Sequence, residues 1–223
     1  MNDFSLPDGA SLTPEGLFKH LLRRTDPGNK RPALFLDRDG VLVEEVGYLH
    51  RPEEVRLIEG TAEVVARANA AAVHVIIVTN QGGIGLGKYG WRDFILTQEK
   101  IYEDLRRLDA EIDATMASPY HPRGNPPFDR GDHPSRKPNP GMLLEAATLL
   151  SIDYAASWII GDHGSDIEAG RNAGLVGGLH VLTGHGTHDG ERDKALAAET
   201  ESYKPHAIDS IADALTIIPF LKK

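Results

Sequence analysis

Two aspartates at spacing two, Asp37 and Asp39, follow the apolar run Ala33–Leu36 and precede Gly40. Alternate residues of a strand share a face, so both carboxylates can point into one crevice, and Gly40 lets the chain turn away. An aspartate with an ordinary pKa of about 3.9 is ionised near neutrality and can act as a nucleophile. A second carboxylate beside it can hand a proton to a leaving group and later take one from water. Taken alone, Asp-x-Asp-Gly is equally the polar turn that ends a strand. Further polar groups stand at comparable places: Thr79 and Asn80 after a second apolar run, Lys137 before a helix, and Asp162 with Asp166 one helical turn beyond.

The elements that must position these groups are legible from hydrophobic pattern. Continuous apolar runs without alternation mark strands buried on both faces, as in a parallel sheet. They occur at residues 33–36, 73–79, 114–118, 157–160 and 178–182. Amphipathic or capped segments predict helices over residues 60–72 and 91–108, after Asn139-Pro140, from the capping-box pattern Ser165-Asp166-Ile167-Glu168 to Gly174, and near 210–217. On the helix of residues 91–108 the apolar stripe is Phe94, Ile101, Leu105 and Leu108. Strands alternating with helices predict a doubly wound parallel α/β sheet, whose ligands bind at the carboxyl ends of the strands. Residues 80–87 form a glycine-rich loop that fits no nucleotide fingerprint, and six prolines between 119 and 138 rule out regular structure there.

Residues 1–31 are expected to be an N-terminal extension, with residues 32–223 as the main domain. Within the extension, Thr13-Pro14 predicts a short helix with an apolar face of Leu17, Phe18, Leu21 and Leu22, closed by Arg23 and Arg24.

The chain has 223 residues, a formal net charge of −9, 26% charged residues and no cysteine. That charge argues against nucleic acid as the main partner, because phosphate backbones need a basic footprint. Lack of cysteine removes disulfides, thiol nucleophiles and thiolate zinc sites. No apolar run approaches the roughly 20 residues that span a bilayer. With no basic-then-apolar leader pattern, and with Asp3, Asp8 and Glu15 against a transit peptide, the cytoplasm is the expected location.

In chain order, Asp37-x-Asp39-Gly40, Thr79, Lys137 and Gly161-Asp162-(x)3-Asp166 resemble the four motifs of the haloacid dehalogenase (HAD) superfamily of phosphatases. Further stretches are similar to the D-glycero-D-manno-heptose 1,7-bisphosphate phosphatases, with histidinol phosphatases as near relatives. They are Phe35-Leu36-Asp37-Arg38-Asp39-Gly40, Gly47-Tyr48, Val78-Thr79-Asn80-Gln81 and Arg136-Lys137-Pro138-x-Pro140-Gly141-Met142. The resemblance implies a Rossmann-like three-layer α/β/α fold with a minimal cap made of loops. It implies hydrolysis of a phosphate monoester through an aspartyl-phosphate on Asp37, with Asp39 as acid and then base. Magnesium is implied as cofactor, with Asp37 and Asp162 as carboxylate ligands, Asp39 as a ligand through its backbone carbonyl, and Asp166 orienting that shell.

Thr79, the Asn80 backbone N–H and Lys137 would hold the phosphoryl oxygens. Glu45, Val46, Gly47, Tyr48, Gln81, Gly82, Arg136 and His163 would complete the substrate site. The expected partner is a small phosphorylated metabolite, with no nucleic acid and no membrane, and the chain is expected to be a monomer or weak homodimer. The expected substrate is heptose 1,7-bisphosphate, hydrolysed at the 7-phosphate; histidinol phosphate or another sugar monophosphate is the alternative. A non-catalytic binding protein on the same fold is the alternative from a different class.

Three departures bear on the substrate and on a second metal. The family's proline-rich loop carries zinc on cysteines and a histidine, whereas the matching positions here are Ser118, Tyr120, His133 and Ser135. No structural zinc is expected, and the prolines are expected to hold the loop. The family's arginine in the glycine-rich loop is Leu86, and its lysine after the last motif's first aspartate is His163. Both changes remove a permanent cation, so the preference for a bisphosphate is expected to weaken.

Overall fold

Ala33–Leu36 forms a strand with all four residues buried. The computed structural model describes residues 5–23 and 28–222. Eight strands occur in chain order: β1 Ala10–Leu12, β2 Phe18–Leu21, β3 Ala33–Leu36, β4 His74–Asn80, β5 Ala114–Ser118, β6 Trp158–Gly161, β7 Gly177–His180 and β8 Lys204–Ala207. They form one sheet in the order β1-β2-β5-β4-β3-β6-β7-β8. The run from β5 to β8 is parallel throughout, while β1–β2 and β2–β5 are antiparallel. The helices are α1 Thr61–Ala70, α2 Gly82–Gly85, α3 Trp91–Arg106, α4 Gly141–Ala146, α5 Gly164–Asn172, α6 Glu191–Leu196 and α7 Ala214–Ile217.

Alternation along β3 and β4 divides the core into two layers. Leu34, Leu36, Val75 and Ile77 pack against Val64, Val65 and Ala68 of α1, Ile101 and Leu105 of α3, and Ala214 of α7. Ala33, Phe35, Ile76 and Val78 face the other way, onto Met142, Leu143 and Ala146 of α4, Ile167 of α5 and Ala195 of α6. With helices on both sides the central strands have no wet face, which is why they read as unbroken apolar runs. Each valine, leucine, isoleucine, methionine or phenylalanine buried so completely contributes on the order of 1.5–3 kcal/mol.

From β3 the chain builds β4 and β5 on one side, then crosses to β6, β7 and β8 on the other. Strand order therefore reverses at β3, and a crevice opens at its carboxyl end.

The N-terminal segment departs from expectation. The expected helix is absent; β1 and β2 form a hairpin whose second strand pairs with β5, Phe18 opposite Ala117 and Leu21 opposite Ala114. Leu17, Phe18, Leu21 and Leu22 suit one helical face, but burial along β2 alternates, with Phe18 and His20 inward. The unpaired backbone of β5 decides the outcome, as tertiary context commonly overrides local preference in strands. Thr13 accepts a hydrogen bond from the Leu17 N–H (3.1 Å) inside the hairpin loop instead of capping a helix. Arg24, expected to close that helix, lies outside the described residues.

Smaller differences follow. The glycine-rich loop contains the single helical turn α2, and α3 stops at Arg106, leaving Leu108 55% exposed. The C-terminal helix is shorter than expected, a 3-10 turn at Ile211–Asp213 running into α7. No helix among the described residues is long and apolar enough to cross a membrane.

Candidate active site

The carboxyl ends of β3, β4 and β6 bring Asp37, Asp39, Thr79, Asn80, Asp162 and, from the following helix, Asp166 to one cleft of about 500 Å3. Gly40 has φ +77, and a Cβ there would stand 2.3 Å from Asp162 Oδ2, so only glycine lets β3's turn pass this close to the acid. Asp37 Oδ1 accepts the Arg38 N–H (2.7 Å) and meets Lys137 Nζ at 3.0 Å. Among the described residues no donor reaches its Oδ2, and the side chain keeps a small opening to the cleft. Burial pushes the Asp37 carboxyl up to about 6, against the pull of Lys137 and with Asp166 and Asp39 adding to the rise.

Lys137 is itself buried and spends its ammonium on Asp166 Oδ1 (2.8 Å), Asp37 Oδ1 and the Val78 carbonyl (2.8 Å). Burial alone would lower it, but Asp166 and Asp37 outweigh that and hold it above the ordinary lysine value. Asn80 fixes the lysine's backbone from both sides, donating to the Lys137 carbonyl and accepting its N–H. Asp162 Oδ2 accepts the His185 N–H at 2.7 Å, whereas its Oδ1 is buried without a partner. Burial pushes Asp162 up to about 9, with Asp37 and Asp166 adding to it. Asp166 has both oxygens engaged, Oδ1 by Lys137 and Oδ2 by the His163 N–H at 2.9 Å. That last bond places the helix start at His163, two residues before the predicted capping box.

Three carboxylates against one ammonium leave this buried spot with excess negative charge. Their oxygens lie within 4.8 Å of one another. An all-oxygen set with an orphaned carboxylate oxygen fits a hard divalent cation such as magnesium. Asp162 Oδ1 and Asp37 Oδ2 are the atoms open to it, while Asp166, fully bonded, can only orient its neighbours.

Asp39 is held differently. Arg38, fully buried, forks onto it through Nε (3.1 Å to each oxygen) and Nη2 (2.9 Å). Gln81 Nε2 donates to Asp39 Oδ2 (2.9 Å) and to Thr79 Oγ1 (2.8 Å). The Asp39 side chain remains 19% exposed, on the cleft side.

Of the other expected residues, Glu45, Gly47, Tyr48, Gln81, Gly82, Arg136 and His163 line the cleft. Val46 does not; it is 48% exposed, on the outer side of its loop. Glu45 Oε1 accepts the Gly47 N–H (2.5 Å), and Arg136 Nη1 donates to the Tyr120 carbonyl (2.6 Å). The His163 ring stacks on His185 at 4.9 Å and its Nδ1 lies 3.4 Å from Glu191. Sequence reasoning missed Gly83, Tyr89, His121, Ser165 and His185, which also line the cleft. His185 sits in the Gly184–Thr187 turn after β7; the strand's carboxyl end was the available signal for it.

The proline-rich loop packs beside the cleft. Ser118, Tyr120, His133 and Ser135 do come together, as a neutral clasp. Ser118 Oγ meets Ser135 Oγ at 3.2 Å, His133 Nδ1 meets Ser135 Oγ at 2.8 Å, and Tyr120 stacks flat on the His133 ring at 3.5 Å. The Tyr120 hydroxyl reaches back to the Glu15 carbonyl in the hairpin loop (2.6 Å). Asn139 joins this loop, donating to the carbonyls of Asp132 and His133, and so does not cap α4.

Comparison with known proteins agrees with this architecture. The haloacid dehalogenase-like hydrolase model matches residues 15–174, and a HAD-hydrolase-like model matches residues 134–215. A D-glycero-β-D-manno-heptose-1,7-bisphosphate 7-phosphatase from Mesorhizobium japonicum is 43% identical over 67% of this chain and 69% of its own length. A crystal structure from Mesorhizobium loti, described as a HAD-like phosphatase, superposes with a TM-score of 0.82 at 34% identity, covering 95% of this chain and 97% of that one. The D,D-heptose 1,7-bisphosphate phosphatase of B. bronchiseptica, solved with magnesium and phosphate, gives 0.67 at 26% identity over 81% of this chain and 94% of its own. From the strand-end carboxylates to these relatives, the chain belongs to the haloacid dehalogenase-like hydrolases, as a phosphoric monoester hydrolase in the family of the heptose 1,7-bisphosphate phosphatases.

Proposed function

We propose that this chain is a magnesium-dependent phosphatase of a small phosphorylated sugar, and that it works through an aspartyl-phosphate on Asp37. The observation that carries the reading is Asp37 itself, with one oxygen tied to Lys137 and the other open to a cleft that Asp39 shares. Asp37 attacks phosphorus, the bond to the leaving oxygen breaks, and Asp39 supplies that oxygen with a proton. Asp39 then takes a proton from water as the water displaces Asp37, which returns as a carboxylate with release of phosphate. Thr79 Oγ1 and the Asn80 N–H hold the phosphoryl oxygens, and Lys137 Nζ joins them by turning one of its three protons away from Asp37, Asp166 or the Val78 carbonyl. The carboxylates of Asp37 and Asp162 and the Asp39 backbone carbonyl would hold the magnesium, with Asp166 orienting them. Once bound, the metal supplies positive charge that offsets repulsion between the carboxylates and a phosphate dianion.

The names of the relatives favour heptose 1,7-bisphosphate, cleaved at position 7, as substrate. The cleft's own charges favour a second reading, a sugar monophosphate or histidinol phosphate. Apart from Lys137, Arg136 is the permanent cation in its lining; the mouth carries His121, His163 and His185 together with Glu45. A screen of these phosphates with magnesium separates the two. The expected result is turnover that needs magnesium and vanishes in Asp37→Asn, by about a thousandfold or more. Folded, magnesium-binding protein with no turnover on any of them would leave a binding protein in place of an enzyme. His163→Lys is expected to shift kcat/KM toward the bisphosphate by roughly tenfold, one well-placed charge contact; an unchanged ratio would remove His163 from the distal subsite.

A further inference from the structure

Tyr89 belongs to no motif, yet it is buried and stands at the centre of a network that reaches the Asp39 carboxylate. Its hydroxyl donates to Gln81 Oε1 at 2.5 Å. Gln81 has one amide oxygen and one NH2 group, and its nitrogen serves Asp39 Oδ2 and Thr79 Oγ1. The amide is therefore fully committed, and Tyr89 is the donor that completes it. The ring is fixed as firmly as the hydroxyl. It stacks on His50 at 5.3 Å and 6°, and a Cβ on Gly83 would stand 2.3 Å from its edge. Burial raises the phenol well above its ordinary value, so it stays a donor.

The same network holds the cleft rim. His50 Nδ1 bonds the Tyr48 carbonyl (2.7 Å), and Arg38 Nη2, besides gripping Asp39, donates to the Leu49 carbonyl (3.1 Å). Asp39 is thus clamped between Arg38 on one side and the Tyr89–Gln81 pair on the other, and both clamps are anchored in the loop that carries Glu45 and Tyr48.

We propose that Tyr89 is a positioning residue for the acid–base group: through Gln81 it fixes the direction of the Asp39 carboxylate relative to the leaving oxygen. Without the hydroxyl, Gln81 Oε1 is left buried and unpaired, the amide rotates to find a donor, and Asp39 is held from one side only. This inference rests on Asp39 being the acid in the reaction above, and the experiment separates the two.

Wild type, Tyr89→Phe, Gln81→Glu and Asp39→Asn are compared with magnesium on an alkyl phosphate and on p-nitrophenyl phosphate, whose leaving group needs little protonation. Tyr89→Phe is expected to lower kcat/KM, which reports the steps up to formation of the aspartyl-phosphate, roughly tenfold on the alkyl ester, a fraction of what general acid catalysis supplies, and less than about threefold on the aryl ester. Gln81→Glu, which places a like charge against Asp39, is expected to widen that split. It also keeps the test open should Tyr89→Phe fold poorly. Equal losses on both esters in these two variants, with the split present in Asp39→Asn, would overturn the role of Tyr89 while leaving Asp39 as acid. Equal losses in Asp39→Asn itself would overturn the acid assignment and the role of Tyr89 with it.

Discussion

The carboxylate centre and the clasp at the base of the proline-rich loop lie side by side, both buried and both polar, and they are assembled on opposite terms. At the centre, Asp37 and Asp166 share one ammonium beside Asp162, one oxygen of Asp162 has no partner, and two carboxyls are pushed far up. In the loop, Ser118, His133 and Ser135 satisfy one another with neutral hydrogen bonds and Tyr120 covers the histidine. Excess charge with an orphaned oxygen costs stability and favours capture of a cation; paired dipoles and a stacked ring hold a loop without one. The difference is between a site kept reactive and a support kept closed.

The widest gap between the two regions should appear on removing Lys137. Lys137→Met leaves the carboxylates of Asp37 and Asp166 buried without their cation and is expected to cost about 3–5 kcal/mol near neutral pH. Urea unfolding would measure it. A loss no larger than that of a loop hydroxyl would erase the contrast.

A second experiment uses pH. Asp162 is held at about 9 against an ordinary 3.8. A group held above its unfolded value adds stability below that value and loses it as pH rises toward the folded one. Metal-free Asp162→Asn is therefore expected to melt several degrees above wild type at about pH 8 and close to it at about pH 4. Magnesium should raise the wild-type Tm at about pH 8 more than at about pH 5, and raise the variant's little. A variant that melts at or below wild type at the higher pH would show that Asp162 carries no such burden.

The smallest effect belongs to the loop. Ser135→Ala removes both bonds of one hydroxyl from the clasp, to Ser118 Oγ and to His133 Nδ1, while His133 Nδ1 keeps the Ser135 N–H at 3.2 Å. The expected cost is about 1 kcal/mol, or 2–4 °C in Tm for a chain of this size, equal at about pH 7 and about pH 9. Zinc and chelators should leave that value where it is. A zinc-dependent Tm, or a loss that grows with pH, would mean that the loop shares the centre's chemistry.

How far the sequence could be read follows from the same physics. β3, β4 and β6 are buried on both faces, so their apolar runs announce a parallel sheet, and its topology sends Asp37, Thr79 and Asp162 to one crevice. Strands at the margin carry no such run. β8 is Lys-Pro-His-Ala, with a proline that argues against a central strand, and α6 lies in a charged stretch with a single buried residue, Ala195. The β1–β2 hairpin borrows its conformation from β5, about a hundred residues away in sequence. Tyr89 faces the cleft through packing alone and no local spacing points to it, whereas His185 is marked only by its place after the carboxyl end of β7. Nothing in the local sequence marks Arg38, between the two aspartates, as the group that grips Asp39; its burial and its fork onto that carboxylate show it.

The hairpin has one more effect. β5 is buried along its whole length, and without β2 it would be the outermost strand of the sheet, with apolar side chains beside its unpaired backbone. Exposed strands of that kind recruit further strands from other molecules. A chain cut at residue 31 would present β5 as an open, adhesive edge and be drawn toward self-association and insolubility. In the folded chain the β1–β2 hairpin is thus the guard that keeps the sheet apart from its neighbours.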